Sequence, residues 1–140
     1  MSVLPKSLSK LGKKPKPLES DLAAKVKKLF ESRGWKVINV HGNAFTKGLP
    51  DKYCIDVTER AEGRTLGQRW VELKRPEVGR YTKDQLATFP LIEKAGIGVW
   101  VMTDATDAQY KMVVSSPPNW RDFLRKSDIE KIKEMYAWFT

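Results

Sequence analysis

Apolar residues recur at positions 18, 22, 26, 29 and 30, the stripe of one helical face, and Gly34 stands where such a helix ends. The period then changes. "WKVINVH" (35–41) is short and β-branched and predicts a strand, whereas "GNAFTKGLP" (42–50) is punctuated by Gly42, Gly48 and Pro50 and predicts a turn. "DKYCIDVTE" (51–59) and "QRWVELK" (68–74) predict two more strands, joined by the charged, glycine-containing "RAEGRTLG". A second helix is expected from about Lys83 to Lys94. Thr82 and Gln85 supply a Thr-x-x-Gln capping box, and Gly96 closes the segment. Pro90 lies inside it and is expected to kink or split it, because proline has no backbone donor.

The apolar run "IGVWVMT" (97–103) predicts a buried strand and "QYKMVVS" (109–115) an edge strand. After "SPPNW", Ser127 and Glu130 mark a capping box. It opens a last helix, 128–139, with Ile129, Ile132, Met135, Tyr136 and Phe139 on one side. The short link between the second and third strands makes that pair antiparallel, and the helix 83–94 makes the next strand parallel to its neighbour. The expected architecture is α/β, a mixed central sheet flanked by helices in the order αβββαβ, with an appended C-terminal strand and helix.

A chain of 140 residues is long enough for one hydrophobic core. We expect a basic tail, residues 1–17, and one domain, 18–140, made of a core (18–103) and an extension (104–140). Net charge is +9, and the tail holds five lysines and no acid. That balance favours a polyanionic partner, nucleic acid first, and makes the tail either a phosphate-contacting arm or a solubilising one. No apolar run reaches the length of a membrane span, and the start has no signal-peptide core. With the single cysteine, Cys54, read as a small buried strand residue, these features predict a cytoplasmic setting. His41 is the only histidine, which excludes an HNH nuclease, a two-histidine zinc site and most histidine-based hydrolase schemes. It reads as a polar strand-end residue.

The chemistry gathers where two strands meet. Glu72 and Lys74 are two residues apart, so a strand points both the same way. Asp51 opens the preceding strand after a Gly-Leu-Pro turn, and antiparallel pairing brings it beside the end of the third strand. Two converging carboxylates repel each other unless a cation lies between them. Oxygen ligands with room for water and phosphate suit Mg²⁺ or Mn²⁺ better than zinc. Lys74, about 6–7 Å along the strand from Glu72, can face a phosphate or an attacking water. Without Asp51, Glu72 and Lys74 would read as a surface cross-strand ion pair.

These residues resemble a known signature. "GLPD" (48–51) followed by "VELK" (71–74) looks like that of the PD-(D/E)XK nucleases. A glutamate at the start of the first helix (Glu19), "KGLPD", "WVELKRP" and "GRYTKDQ" ending in Gln85 are similar to the VRR-NUC domain, over about residues 18–103. Such domains occur alone in phages and bacteria and at the end of the Fanconi-associated nuclease in animals. The resemblance implies a restriction-endonuclease-like fold and a metal-dependent DNA endonuclease, resembling Holliday-junction resolvases that act as homodimers on branched DNA. It implies that Asp51, Glu72 and the main-chain carbonyl of Leu73 hold the metal and that Lys74 orients or activates water. Glu19 would complete the metal site through a water, and Gln85 would position the site.

Each residue also has a plainer reading. Gln85 is explained by its capping box, a role compatible with a catalytic one, and Glu19 by the helix dipole, which favours acids in a first turn. Asp56 and Glu59 read as surface residues or an edge-strand charge rather than ligands. Arg75, Arg80 and Lys83 form either a solvated basic loop or, the preferred reading, phosphate contacts beside the cleaved bond. Tyr81 is a candidate for stacking on a base. Trp35, Trp70, Trp100 and Trp138 read as core, and Trp120 has no assigned place. Two alternatives stay open: the same fold cutting flap, single-stranded or duplex DNA, and a noncatalytic basic nucleic-acid-binding domain.

Overall fold

A computed structural model describes residues 15–40, 46–58, 67–77 and 79–140, with side chains in the first helix from Ser20 onward. His41, Glu59, most of the link between the second and third strands and most of the basic tail lie outside the described residues. Helix α1 (Pro15–Ser32) leads through Gly34 into β1 (Trp35–Asn39), β2 (Lys52–Asp56) and β3 (Gln68–Leu73). Helix α2 (Lys83–Lys94) crosses to β4 (Val99–Met102), followed by α3 (Asp107–Ser115), a 3₁₀ turn (Trp120–Phe123) and α4 (Lys126–Met135). The sheet order is β1-β2-β3-β4. The first two pairings are antiparallel and the last is parallel, as the connection lengths predict.

Strand alternation divides the core in two. Val26 and Phe30 of α1 pack with Trp35, Val37, Cys54, Val71, Trp100 and Met102 on one face, closed by Tyr110 and Val113 of α3. The indole N–H of Trp35 donates to the Tyr110 hydroxyl at 2.8 Å, and Phe30 meets both rings edge-on. On the other face Leu86 and Phe89 of α2, Val99 and Val101 of β4 and Ile132 of α4 surround Trp120. Trp120 is almost wholly buried, and its indole N–H donates to Glu93 at 2.9 Å. Cys54 is buried and unpaired, and burial pushes its thiol up to about 12.

Several expectations change. Residues 109–115 form helix α3, not a strand. Thr106 caps Gln109 at 3.2 Å, and Tyr110 and Val113, three apart, share the buried face. The edge of β4 is instead covered by Asn119, whose side chain accepts from the Val101 N–H (2.6 Å) and donates to its carbonyl (3.2 Å), as a strand partner would. Helix α4 starts at Lys126, because Asp128 rather than Glu130 reaches back to the Arg125 N–H at 2.9 Å. Its Ile132 is fully buried, whereas Met135 is exposed and Tyr136 already lies beyond the helix. Asp56 is buried, accepting from the Thr58 N–H at 2.8 Å. Trp138 lies outside the core, 38% exposed, stacked on Tyr136 with the Lys94 ammonium over it.

Pro90 does not split α2, which runs unbroken from Lys83 to Lys94. The hydroxyl of Tyr136 donates to the Ala87 carbonyl at 2.8 Å, tying the middle of α2 to the end of α4. Helix α1 begins at Pro15, three residues earlier than the boundary of the expected tail, which makes Glu19 its fifth residue rather than a first-turn acid. No helix among the described residues is long and apolar enough to cross a membrane.

Candidate active site

Register brings the carboxylates together. Lys52 pairs with Val71, so the next position, Asp51, falls opposite Glu72. The Asp51 N–H donates to Glu72 Oε1 (3.2 Å), and the Leu73 N–H donates to Asp51 Oδ2 (2.9 Å). The turn before Asp51 is held by Gly48, at φ +84°. A Cβ there would stand 2.7 Å from the Asp84 carbonyl oxygen and 2.5 Å from Thr88 Oγ1. Only glycine lets this turn lie against the first turns of α2, the helix that carries Gln85.

Glu72, Lys74 and Gln85 form one buried polar cluster. Glu72 is 2% exposed. Its Oε2 accepts from Lys74 Nζ (2.9 Å) and from Gln85 Nε2 (2.8 Å). Lys74 also donates to the Arg80 carbonyl (2.7 Å) and to Gln85 Oε1 (3.1 Å), so the three donors of its ammonium each have an acceptor. Gln85 completes the predicted capping box: Thr82 N–H to Gln85 Oε1 at 3.0 Å, and Gln85 N–H to Thr82 Oγ1 at 3.1 Å. One amide therefore starts the helix and bridges the Glu72 carboxyl to the Lys74 ammonium, and Pro90, further along α2, leaves it in place. The ion pair between Glu72 and Lys74 does form, but in the interior rather than at the surface.

Burial raises the Glu72 carboxyl to about 7, the Asp51 charge adds to the rise, and Lys74 and Gln85 partly offset it. Beneath Asp51, Lys52 is buried with its ammonium on Asn39. Burial lowers its pKa against the opposing pull of Asp51.

The basic residues divide. Arg80 and Lys83 are exposed and Arg75 is half-buried. Arg75 lines a cavity of about 300 Å³ with Asp21 and Lys25 of α1 and Thr103 and Asp104 after β4. Tyr81 is the exception to the expectation of base stacking. It is buried under Phe89 and Trp120, its hydroxyl donates to the Trp120 carbonyl at 2.7 Å, and its ring lies beneath Lys74. The side chain of Glu19 lies outside the described residues.

Three contributors were missed in the sequence: the Arg80 carbonyl, Lys52, and the pair Tyr53–Trp70 beside the acids. Alternation signals the last two, since Lys52 shares the α1-facing side with Cys54, whereas Tyr53 and Trp70 share the side of Asp51 and Glu72. No carbonyl acceptor has a side-chain signature.

Among the described residues no three acidic, histidine or cysteine side chains gather. The site offers two carboxylates, and Mg²⁺ is commonly held by one or two with water completing its shell. The Asp51 charge adds to the rise that burial imposes on Glu72, and a divalent cation would relieve that repulsion, so the residues fit such an ion.

No protein-family model matches the chain, and no curated protein matches it. A solved structure described as a VRR_NUC domain does. It superposes with a TM-score of 0.50 at 23% identity, covering 69% of this chain and 95% of that one. The chain thus has the α/β fold of a VRR_NUC domain, with its mixed four-stranded sheet flanked by helices.

Proposed function

We propose that the protein is a Mg²⁺- or Mn²⁺-dependent deoxyribonuclease that hydrolyses phosphodiester bonds in DNA. The observation that carries this reading is the opposition of Asp51 and Glu72 across two strands, with Lys74 on the same face within an ion-pair distance of Glu72. Asp51 and Glu72 hold the ion. The Leu73 carbonyl joins them, because a strand residue turns its N–H and C=O to one side and the Leu73 N–H already faces Asp51. Glu19 is assigned the water-mediated ligand. When bound, a divalent cation would make its water more acidic and compensate charge at the phosphate.

Lys74 exchanges one of its three acceptors for a phosphate oxygen or the attacking water, and the remaining bonds keep the ammonium oriented. Gln85 holds Glu72 and Lys74 at their spacing. Arg75, Arg80 and Lys83 contact backbone phosphates around the cut. Branched DNA and a homodimer are the substrate and assembly we attach to this reading. Ile132 of α4 is buried in the core of its own chain, which leaves the dimer to another surface.

Purified protein is expected to cleave DNA in Mg²⁺ or Mn²⁺ and to stop in excess EDTA, and Glu72→Gln and Lys74→Ala to abolish cleavage. Salt-sensitive DNA binding with no cleavage in any divalent metal would instead identify a noncatalytic binding domain.

A further inference from the structure

The sheet face that carries the two acids continues as an aromatic row. Tyr53 follows Asp51 by two residues on β2, and Trp70 precedes Glu72 by two on β3, so all four side chains point the same way. Tyr53 and Trp70 are register partners with ring centroids 4.7 Å apart. On the other side of Tyr53 its partner is Ile38 of β1, which is 40% exposed. Ile38, Tyr53 and Trp70 thus form a row across three strands, about 7 Å from the acids.

This row belongs to neither core cluster among the described residues. Helix α2 packs over β4 and α4 packs against α2, while Tyr53 and Trp70 stay half-exposed. In the next row Lys36 is exposed beside Ile55. A cross-strand aromatic pair stabilises a sheet wherever it occurs. Here it also presents accessible ring surface one row from the groups assigned to the cleaved phosphate, with a cation beyond it.

We infer that Tyr53 and Trp70 form a stacking platform for an unpaired nucleobase next to the scissile phosphodiester. The inference rests on the nuclease reading above and deepens it to a substrate class: DNA with single-stranded character at the cut, such as a flap, a gap or a splayed junction arm. A base inside a continuous duplex has both faces occupied by its neighbours, whereas an unpaired base has a face free for an aromatic ring. The separation of the two rows is one that a nucleotide spans between its phosphate and its base. Ile38 widens the apolar surface, and Lys36 meets the backbone of the same strand.

The test measures anisotropy of a labelled flap in EDTA, where cleavage is off, with one abasic nucleotide walked through positions beside the cut. Wild-type protein is expected to lose about 10-fold in affinity at one position, the scale of one base–aromatic stack. The double variant Tyr53→Leu, Trp70→Leu should bind the intact flap about 10-fold more weakly and no longer sense the abasic site. Tyr53→Phe with Trp70→Phe should behave as wild type. If the leucine variant fails to fold, fluorine NMR of 5-fluorotryptophan-labelled wild type decides. The Trp70 resonance, identified by its loss in Trp70→Phe, should shift with flap and not with duplex.

Indifference to abasic sites in a protein that cuts DNA, or an unmoved Trp70 resonance, overturns the platform and leaves the nuclease reading standing. So does a leucine variant that turns a dimer into a monomer by light scattering, since the face then belongs to a second copy. A protein that neither binds nor cuts any DNA takes down both.

Discussion

Glu72 should make the metal-free protein less stable as pH rises, against the usual trend for carboxylates. Burial and the nearby Asp51 charge raise its carboxyl from about 4.5 to about 7. The folded state therefore holds a proton that the unfolded chain releases. A group raised in this way contributes its full stability below the unfolded value and loses it as pH climbs through the folded one, a window of about 4.5 to 7. At 1.36 kcal/mol per unit the loss is on the order of 3 kcal/mol. Glu72→Gln removes the titration, so the comparison of wild type with this variant isolates it from every other carboxylate. Urea unfolding in EDTA from pH 4.5 to 8.5 should show the glutamine protein gaining on wild type by that amount. A divalent cation should largely cancel the difference above pH 7, stabilising wild type by about 2.7 kcal/mol at 100-fold excess over its Kd and the variant much less. A constant gap between the two proteins across the pH range, or equal stabilisation of both by metal, would refute the reasoning.

Gln85→Ala removes the amide shared by the helix cap, Glu72 and Lys74. With two buried charges each short of one partner, a loss of about 2–4 kcal/mol in urea is expected, together with a fall in cleavage. Gly48→Ala should cost more than about 1 kcal/mol, because the added Cβ meets the Asp84 carbonyl in a backbone conformation that disfavours it, and cleavage should fall as the Asp51 turn shifts. Trp120→Ala should lower stability by about 3–5 kcal/mol, read by thermal circular dichroism, since the indole fills the centre of the second core. Ile132→Glu should unfold the protein rather than release a folded monomer, because the residue is fully buried in the second core of its own chain. A folded monomer by light scattering would contradict that packing.

Much of this molecule follows from local rules. The spacing of Leu22, Val26, Leu29 and Phe30 specifies a helix, the Thr82–Gln85 pair starts another, and period-two alternation puts Asp51, Glu72 and Lys74 on one face. Short links and one helical crossover then determine which strands pair in which sense, and the fold is shared with a VRR_NUC domain. Where local signals compete, packing decided. "QYKMVVS" has the β-branched content of a strand, yet Asn119 already satisfies the edge of β4, and the Thr106 cap with Tyr110 and Val113 makes the segment a helix. Tyr81 reads as an exposed loop aromatic until Phe89 and Trp120 close over it, and Trp70 reads as core until it proves to lie in neither core cluster among the described residues. Alternation says which way a side chain points, but only the placement of α2 over β4, with α4 against α2, says which of those faces is covered. The same holds for the acid pair. Its residues are visible in the chain, whereas the burial that raises Glu72 and the Arg80 carbonyl that holds Lys74 arise from contacts between segments that meet only in the folded protein.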